Sequence, residues 1–319
     1  MGAALALSER GRGLSWPNPN VGCVIVKDGR VIGRGTTAPG GRPHAEAIAL
    51  AQAGTHVAGA TAFVTLEPCA HVSPRGSACA DALIEAGITR VVAGLTDPDA
   101  RTAGRGLARL RAAGIAVSEG VGARAARRAM AGFLTRQALG RPHVTLKLAL
   151  SLDGCIATGD GESRWITGDA ARRHAHLERA RVGAIVVGRG TWDADAPRLD
   201  VRLEGLAARA PDVHVLSTRE DPALPQRLGS PGAIARVAHD DVLVEGGAGA
   251  AAAFLAADHV DRLLLYRAPI LIGAGRPGLG DIGLARLADA HGRWRLLDER
   301  RLGSDRLEVY ERARCSPGS

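Results

Sequence analysis

Three short stretches decide how this chain is read: Pro43-His44-Ala45-Glu46, then Leu66-Glu67-Pro68-Cys69-Ala70-His71, then Cys79. Pro43 suits the first position of a helix running to about residue 53, which puts His44 at its amino end. Residues 62–66 read as a strand, so Cys69 follows a strand. Residues 78–86 read as a helix stopped at Gly87, so Cys79 opens it. One imidazole and two thiols make three zinc ligands, and a fourth position left open is the mark of a catalytic site rather than a structural one. The positive end of a helix also lowers the pKa of a nearby thiol. Glu46 would lie beside the metal without binding it, placed to take a proton from water and return it to a leaving amine. This His-x-Glu…Pro-Cys order suits hydrolytic removal of an amine by a metal-activated water, and nine residues separate the two cysteines.

Outward from these stretches, strands and helices alternate. Residues 2–10 read as an amphipathic helix, and 21–27 with 31–35 as a hairpin whose Asp28-Gly29 corner calls for a type I′ turn. A strand at 90–93 and a helix at 104–113 follow. Residues 121–139 read as one long helix, broken by Gly140-Arg141-Pro142. The domain boundary is placed there, giving domains 1–143 and 144–319, each an α/β layered unit. In the second, 144–150 is a strand and Thr167 is the expected N-cap of a helix over 169–181. Apolar strands at 184–187, 213–216 and 242–244 suit a sheet covered on both faces. Gly246–Gly249 turns into a helix at 250–257, 262–266 is a strand, and 293–301 with 306–311 form a closing antiparallel pair. Residues 273–278 fit Gly-x-Gly-x-x-Gly, but Pro277 and the lack of a following helix argue against a dinucleotide fingerprint. The tail from Cys315 is expected to be disordered.

The 319 residues fit two domains of ordinary size. No apolar run reaches the ~18–20 residues of a membrane span, and no signal peptide is visible, so no membrane is expected. Five Cys at irregular spacing do not make a secreted disulfide framework, which points to a cytoplasmic protein. Residues 1–143 carry 17 basic and 9 acidic side chains, whereas 144–319 carry 24 of each, so the whole net charge of +8 lies in the first half. That excess suits an anionic ligand. Nine aromatics (4 Trp, 2 Tyr, 3 Phe) are too few for nucleic-acid stacking platforms, so a small phosphate ester is expected and nucleic acid is not.

Taken together, the motifs resemble the bifunctional deaminase–reductase family of riboflavin biosynthesis over nearly the whole chain. The carriers are Pro17-Asn18-Pro19-Asn20-Val21-Gly22-Cys23, His44-Ala45-Glu46, Leu66-Glu67-Pro68-Cys69-Ala70-His71, Cys79, Asp97-Pro98 and Gly104-Arg105-Gly106-Leu107. They continue with Lys147-Leu148-Ala149-Leu150-Ser151-Leu152-Asp153-Gly154 and Gly161-Glu162-Ser163-Arg164-Trp165-Ile166-Thr167. The longer cysteine spacing is a habit of this family. The resemblance implies a three-layer domain like that of cytidine deaminase, followed by a dihydrofolate-reductase-like α/β domain. It implies two consecutive steps, and a cytoplasmic homo-oligomer is expected. The first is zinc-dependent hydrolytic removal of an amino group from a diaminopyrimidinone carrying a ribosylamino 5′-phosphate. The second is NADPH-dependent reduction of its ribosyl group to ribityl.

By motif match, His44, Cys69 and Cys79 would bind zinc, Glu46 would shuttle the proton, and Asn18 and His71 would touch the deaminase substrate. Ser163, Arg179, Leu199, Arg202 and Glu245 fall on substrate positions of the reductase. Ala149, Trp165, Thr191, Asp195, Ser217, Gly246 and Gly247 fall on NADPH positions. A Gly-rich turn opening a helix suits a phosphate, and Arg179 and Arg202 have the fork geometry to grip one. The chain departs from the family where Thr37 replaces a frequent His, where the loop before Cys79 offers Arg75 as its cation, and where the span from Ser217 to Glu245 is short. The sequence leaves two other readings open. One is a single-function zinc deaminase with a non-catalytic second half. The other is a binding protein whose structural metal takes His71 as fourth ligand.

Overall fold

In the computed structural model, residues 1–72 and 76–313 are described, so Arg75 and the tail 315–319 lie outside the described residues. The chain divides into two compact units, Met1–Gly140 and Arg141–Ser319.

The first unit runs α1 (Gly2–Arg10), β1 (Gly22–Lys27), β2 (Arg30–Thr36), α2 (Ala45–Ala53), β3 (Thr61–Val64), α3 (Cys79–Glu85), β4 (Arg90–Ala93), α4 (Arg105–Ala112), β5 (Ala116–Ser118), α5 (Ala123–Ala129) and α6 (Ala131–Leu139). Asp28 and Gly29 both have positive φ (49° and 73°), as the type I′ corner of β1–β2 requires. The sheet order is β2-β1-β3-β4-β5. Its first two pairings are antiparallel and the others parallel. Gly33 and Gly35 are opposite Ile25 and Cys23, so these four residues share a face. A Cβ on Gly35 would stand 2.1 Å from the Ala45 carbonyl oxygen, and one on Gly22, on the other face, 1.9 Å from that of Ala4. Helices α2 and α1 therefore lie directly against opposite faces, which makes three layers. The bare glycines let the first turn of α2 rest on the sheet.

Two local expectations change and one strand, β5, is new. Helix α2 begins at Ala45 with His44 as its N-cap, so Pro43 precedes the cap instead of occupying the first turn. The long helix at 121–139 is two helices, α5 and α6, parted at the buried Met130 (φ −109°, ψ 24°). There the Asn20 side chain donates to the Ala129 carbonyl (2.8 Å) and takes up an oxygen that a continuous helix would use. The edge strand β5 had no recognisable pattern in its three residues.

The second unit runs β6 (His143–Leu150), β7 (Cys155–Ala157), α7 (Asp169–Arg179), β8 (Ala184–Gly188), α8 (Arg189–Asp195), β9 (Asp212–Leu216), β10 (Arg227–Leu228), β11 (Asp241–Glu245), α9 (Ala248–Ala256), β12 (Arg262–Arg267), β13 (Arg276–Pro277), β14 (Trp294–Leu302) and β15 (Asp305–Arg312). Eight strands form one sheet in the order β10-β9-β8-β11-β6-β12-β15-β14. The strands from β10 to β12 run parallel, and the last two pairings are antiparallel. The chain leaves β8 toward β9 but leaves β11 over α9 toward β12. The carboxyl ends of β8 and β11 therefore flank a topological switch point, where open α/β sheets bind ligands. Thr167 is not the cap of α7. The N-cap is Gly168, whose N–H donates to the Asp305 carboxylate (2.7 Å). The glycine-rich stretch 273–278 contributes β13, which pairs with β7, and opens no helix.

Candidate active sites

His44, Cys69 and Cys79 meet in the first unit, with one ligand atom from each lying within 4.8 Å of the others. His44 is the N-cap of α2 but makes no side-chain hydrogen bond to the helix. Its Nδ1 is 3.3 Å from the Cys79 sulfur and 3.7 Å from that of Cys69. A tetrahedral zinc with ligands at ~2.0–2.3 Å separates its donors by roughly 3.5 Å, so the three side chains fit the ion as they stand. Among the described residues no fourth side chain joins the group. His71 instead has its Nδ1 3.4 Å from the Thr102 hydroxyl. The structural-metal reading thereby loses its candidate fourth ligand.

The two thiols interact in a way that suits a cation. The Cys79 backbone N–H, at the start of α3, donates to the Cys69 sulfur (3.3 Å). A hydrogen bond from the Cys79 side chain brings the Cys69 thiol down to about 4, despite its burial. That same bond, with burial, pushes the Cys79 thiol up. Glu46, in the first turn of α2, is 3% exposed, and burial raises its pKa against the pull of His44. Asn18 donates to the Gly41 carbonyl (2.8 Å) and its amide nitrogen stands 3.1 Å from His44 Nε2, so it joins the site. Thr37 does not project a ligand. Its hydroxyl donates to the Pro19 carbonyl (2.8 Å) and accepts from the Val21 N–H (3.0 Å), tying down the loop that carries Asn18. Cys23 lies in the core, where burial raises its thiol.

In the second unit a cleft of about 460 Å³ opens at the switch point. It is lined by Gly188–Thr191 after β8, Leu216–Arg219 after β9, and Gly247, Gly249 and Ala250 at the start of α9. Of the expected cofactor residues it contains Thr191, Ser217 and Gly247. The Gly247 N–H donates to the Thr191 hydroxyl (3.0 Å), and the Ser217 hydroxyl donates to the Arg219 carbonyl (2.8 Å), fixing the turn. Gly246, Ala149, Trp165 and Asp195 do not line it. Ala149 lies on β6 opposite Tyr266. Trp165 is 65% exposed, with the Arg172 guanidinium 4.8 Å over its ring, and Asp195 ends α8, 3.7 Å from Arg164.

Of the expected substrate residues, Glu245 and Arg179 meet each other. Arg179 donates from Nε and Nη2 to the two Glu245 oxygens (2.7 and 2.8 Å), and from Nη1 to the Asp200 carbonyl (3.1 Å). Its fork is thus occupied by a carboxylate in this structure. Burial alone would raise the Glu245 carboxyl, but Lys147 (3.7 Å away) and Arg179 outweigh it and hold it at about 2. Arg202 donates to Asp200, which also pairs with Arg198. Ser163 is half-buried in the loop before α7. Leu199 is buried against β8 and β9 with φ at +52°. Lys147 is a site residue that sequence reasoning passed over within its motif. The signal that could have found it is rarity, since the chain has only two lysines, Lys27 and Lys147.

A family profile described as the cytidine and deoxycytidylate deaminase zinc-binding region matches residues 1–95. One described as the RibD C-terminal domain matches 142–234 and 233–306. The chain is 40% identical to the Escherichia coli (strain K12) riboflavin biosynthesis protein RibD over 340 residues, covering 91% of this chain and 92% of that one. The chain belongs to the RibD family. Among solved structures, Acinetobacter baumannii RibD superposes with a TM-score of 0.86 at 35% identity, covering 98% of both chains. A Thermotoga maritima diaminohydroxyphosphoribosylaminopyrimidine deaminase/5-amino-6-(5-phosphoribosylamino)uracil reductase gives 0.87 at 31%, covering 98% and 97%. Like other RibD proteins the chain is a zinc-dependent deaminase joined to an NADPH-dependent reductase of riboflavin biosynthesis. A non-catalytic second half is ruled out, because that half is the RibD reductase domain. No helix among the described residues is long and apolar enough to cross a membrane.

Proposed function

We propose that residues 1–143 deaminate a 2,5-diamino-6-ribosylaminopyrimidinone 5′-phosphate and that residues 144–319 then reduce its ribosyl group to ribityl, giving 5-amino-6-(5-phosphoribitylamino)uracil. The observation that carries the reading is the convergence of His44, Cys69 and Cys79 beside the buried Glu46. Zinc held by these three side chains would supply a water acidic enough to attack at neutral pH. Glu46 is placed to hold the proton that such a water would give up and to return it to the departing amine, so that the C–N bond would break with release of ammonia while the ring keeps the oxygen. Asn18, tethered to Gly41, presents its amide to the ring edge, and His71 closes the site beside Thr102.

In the reductase, the cleft at the switch point would hold NADPH, which would supply the hydride. Gly249 and Ala250 in the first turn of α9 offer backbone N–H to its phosphates, while Thr191, which accepts the Gly247 N–H, and Ser217 shape the walls. Glu245, kept ionised by Lys147 and Arg179, ends the strand that leads into this turn and accepts hydrogen bonds from the sugar hydroxyls. Arg202, half exposed, pairs the substrate phosphate in place of Asp200. A cytoplasmic homo-oligomer completes the reading. The described cysteines are all free, and among the described residues six of the thirteen exposed large hydrophobics fall between residues 270 and 296.

The test is incubation of purified protein with the diaminopyrimidine phosphate, with and without NADPH, resolving deaminated from reduced product. Ammonia should appear without NADPH, and the ribityl product only with it. Reduction with no ammonia release overturns the deaminase assignment.

A further inference from the structure

We propose that Glu67 is a positioning residue for the metal centre: its buried carboxylate locks the Cys69 loop onto the segment 97–107 and so fixes where Cys69 places its sulfur. The inference rests on the zinc reading above. Glu67 is 2% exposed and contributes no atom to the ligand group. One carboxylate oxygen accepts the N–H of Asp97 (3.0 Å) and of Gly104 (2.9 Å). The other accepts those of Gly106 (2.8 Å) and Leu107 (3.2 Å). Gly104 is the N-cap of α4 and has no side chain to cap with, so a residue 37 positions away does the capping.

This arrangement leaves the ligand loop little freedom. The Glu67 N–H donates to the Leu95 carbonyl (2.8 Å). A Cβ on Gly106 would stand 2.0 Å from the Pro68 carbonyl oxygen, so α4 presses its backbone against the residue next to the ligand. On its other side Cys69 is pinned to α3, because its carbonyl accepts the Ala80 N–H (3.2 Å) and its sulfur that of Cys79. Helix α3 is in turn tied to α4 through Asp81 and Arg109 (2.7 Å). Glu67 thus sits at the joint of the three segments that set the separation of the two thiols. Groups that orient metal ligands from behind commonly change metal affinity or activity by about 10–100-fold when replaced.

Glu67→Gln tests this, since it preserves size but turns an amide NH2 toward the N–H groups of Asp97 and Gly104, setting donor against donor. Zinc transfer from the full-length protein to a chromogenic chelator should be about 10–100-fold faster than from wild type. The thiolate charge-transfer band of the cobalt-substituted protein should shift. Deamination kcat should fall with KM within about twofold, while reduction of already-deaminated substrate stays unchanged. Glu67→Asp, with both oxygens on a shorter reach, should release zinc at an intermediate rate, and it carries the test if the Gln variant does not fold. A lower melting temperature with wild-type zinc release and cobalt spectrum in the folded variant assigns Glu67 to capping α4 alone and overturns the proposal. Wild-type protein that holds no zinc overturns the zinc reading itself, and the inference with it.

Discussion

At the scale of single residues, the deaminase site was legible because its chemistry needs unusual side chains in a fixed order. His44, Cys69 and Cys79 have few other reasons to lie at three element ends. Removing one thiolate leaves two ligands, so Cys69→Ser should lose zinc and deamination together. Full zinc occupancy by elemental analysis in that variant would falsify the assignment. The reductase residues were less legible, because an arginine on a helix reads the same whether it faces solvent, phosphate or carboxylate. Arg179 proves to be forked onto Glu245, which sequence spacing cannot show across 66 positions. Arg202, half exposed and paired with the partly buried Asp200, is the freer cation. Arg202→Ala should raise the reductase KM for the phosphorylated substrate about tenfold or more, the loss of a charge-assisted contact of roughly 1.5–3 kcal/mol. NADPH binding should be nearly unchanged. An unchanged KM returns Arg202 to the solvated surface.

At the scale of elements, periodicity and turn residues located most helices and strands, whereas their ends were decided by distant partners. The split at Met130 depends on Asn20, which also donates to the Ser8 carbonyl (2.9 Å) and so ties α1 to the end of α5. Asn20→Ala leaves both buried carbonyls without this donor and should destabilise the first unit by about 1–3 kcal/mol in denaturant unfolding. A change under half that range would mean the split is held by something else. The cap of α7 failed for the same reason, its partner Asp305 being 137 positions away. Strand β11 carries a pH-dependent contribution through Glu245. Its folded pKa of about 2 lies below the ordinary 4.5, so the stabilisation is fully present above pH 4.5 and is lost as pH falls toward 2. Roughly 3 kcal/mol is at stake. The Glu245→Gln variant should therefore show a flatter loss of stability between pH 4.5 and 2 than wild type, and parallel curves would contradict a role for this carboxylate.

At the scale of the whole molecule, the division into two units, each with its own sheet and its own cluster of polar groups, implies two chemistries that can be disabled separately. Glu46 holds no metal bond in this account, only the proton path between the activated water and the leaving amine. Glu46→Gln keeps the size of the side chain but cannot accept that proton, so zinc should stay while deamination falls by roughly 10²–10⁴-fold. The decisive measurement is to assay this one variant for zinc content, for ammonia release from the diaminopyrimidine phosphate, and for NADPH oxidation on already-deaminated substrate. Full zinc, loss of deamination, and reduction within about twofold of wild type are expected. Loss of both activities with zinc and fold intact would mean the halves share one site, and retention of deamination would mean that Glu46 does not carry the proton.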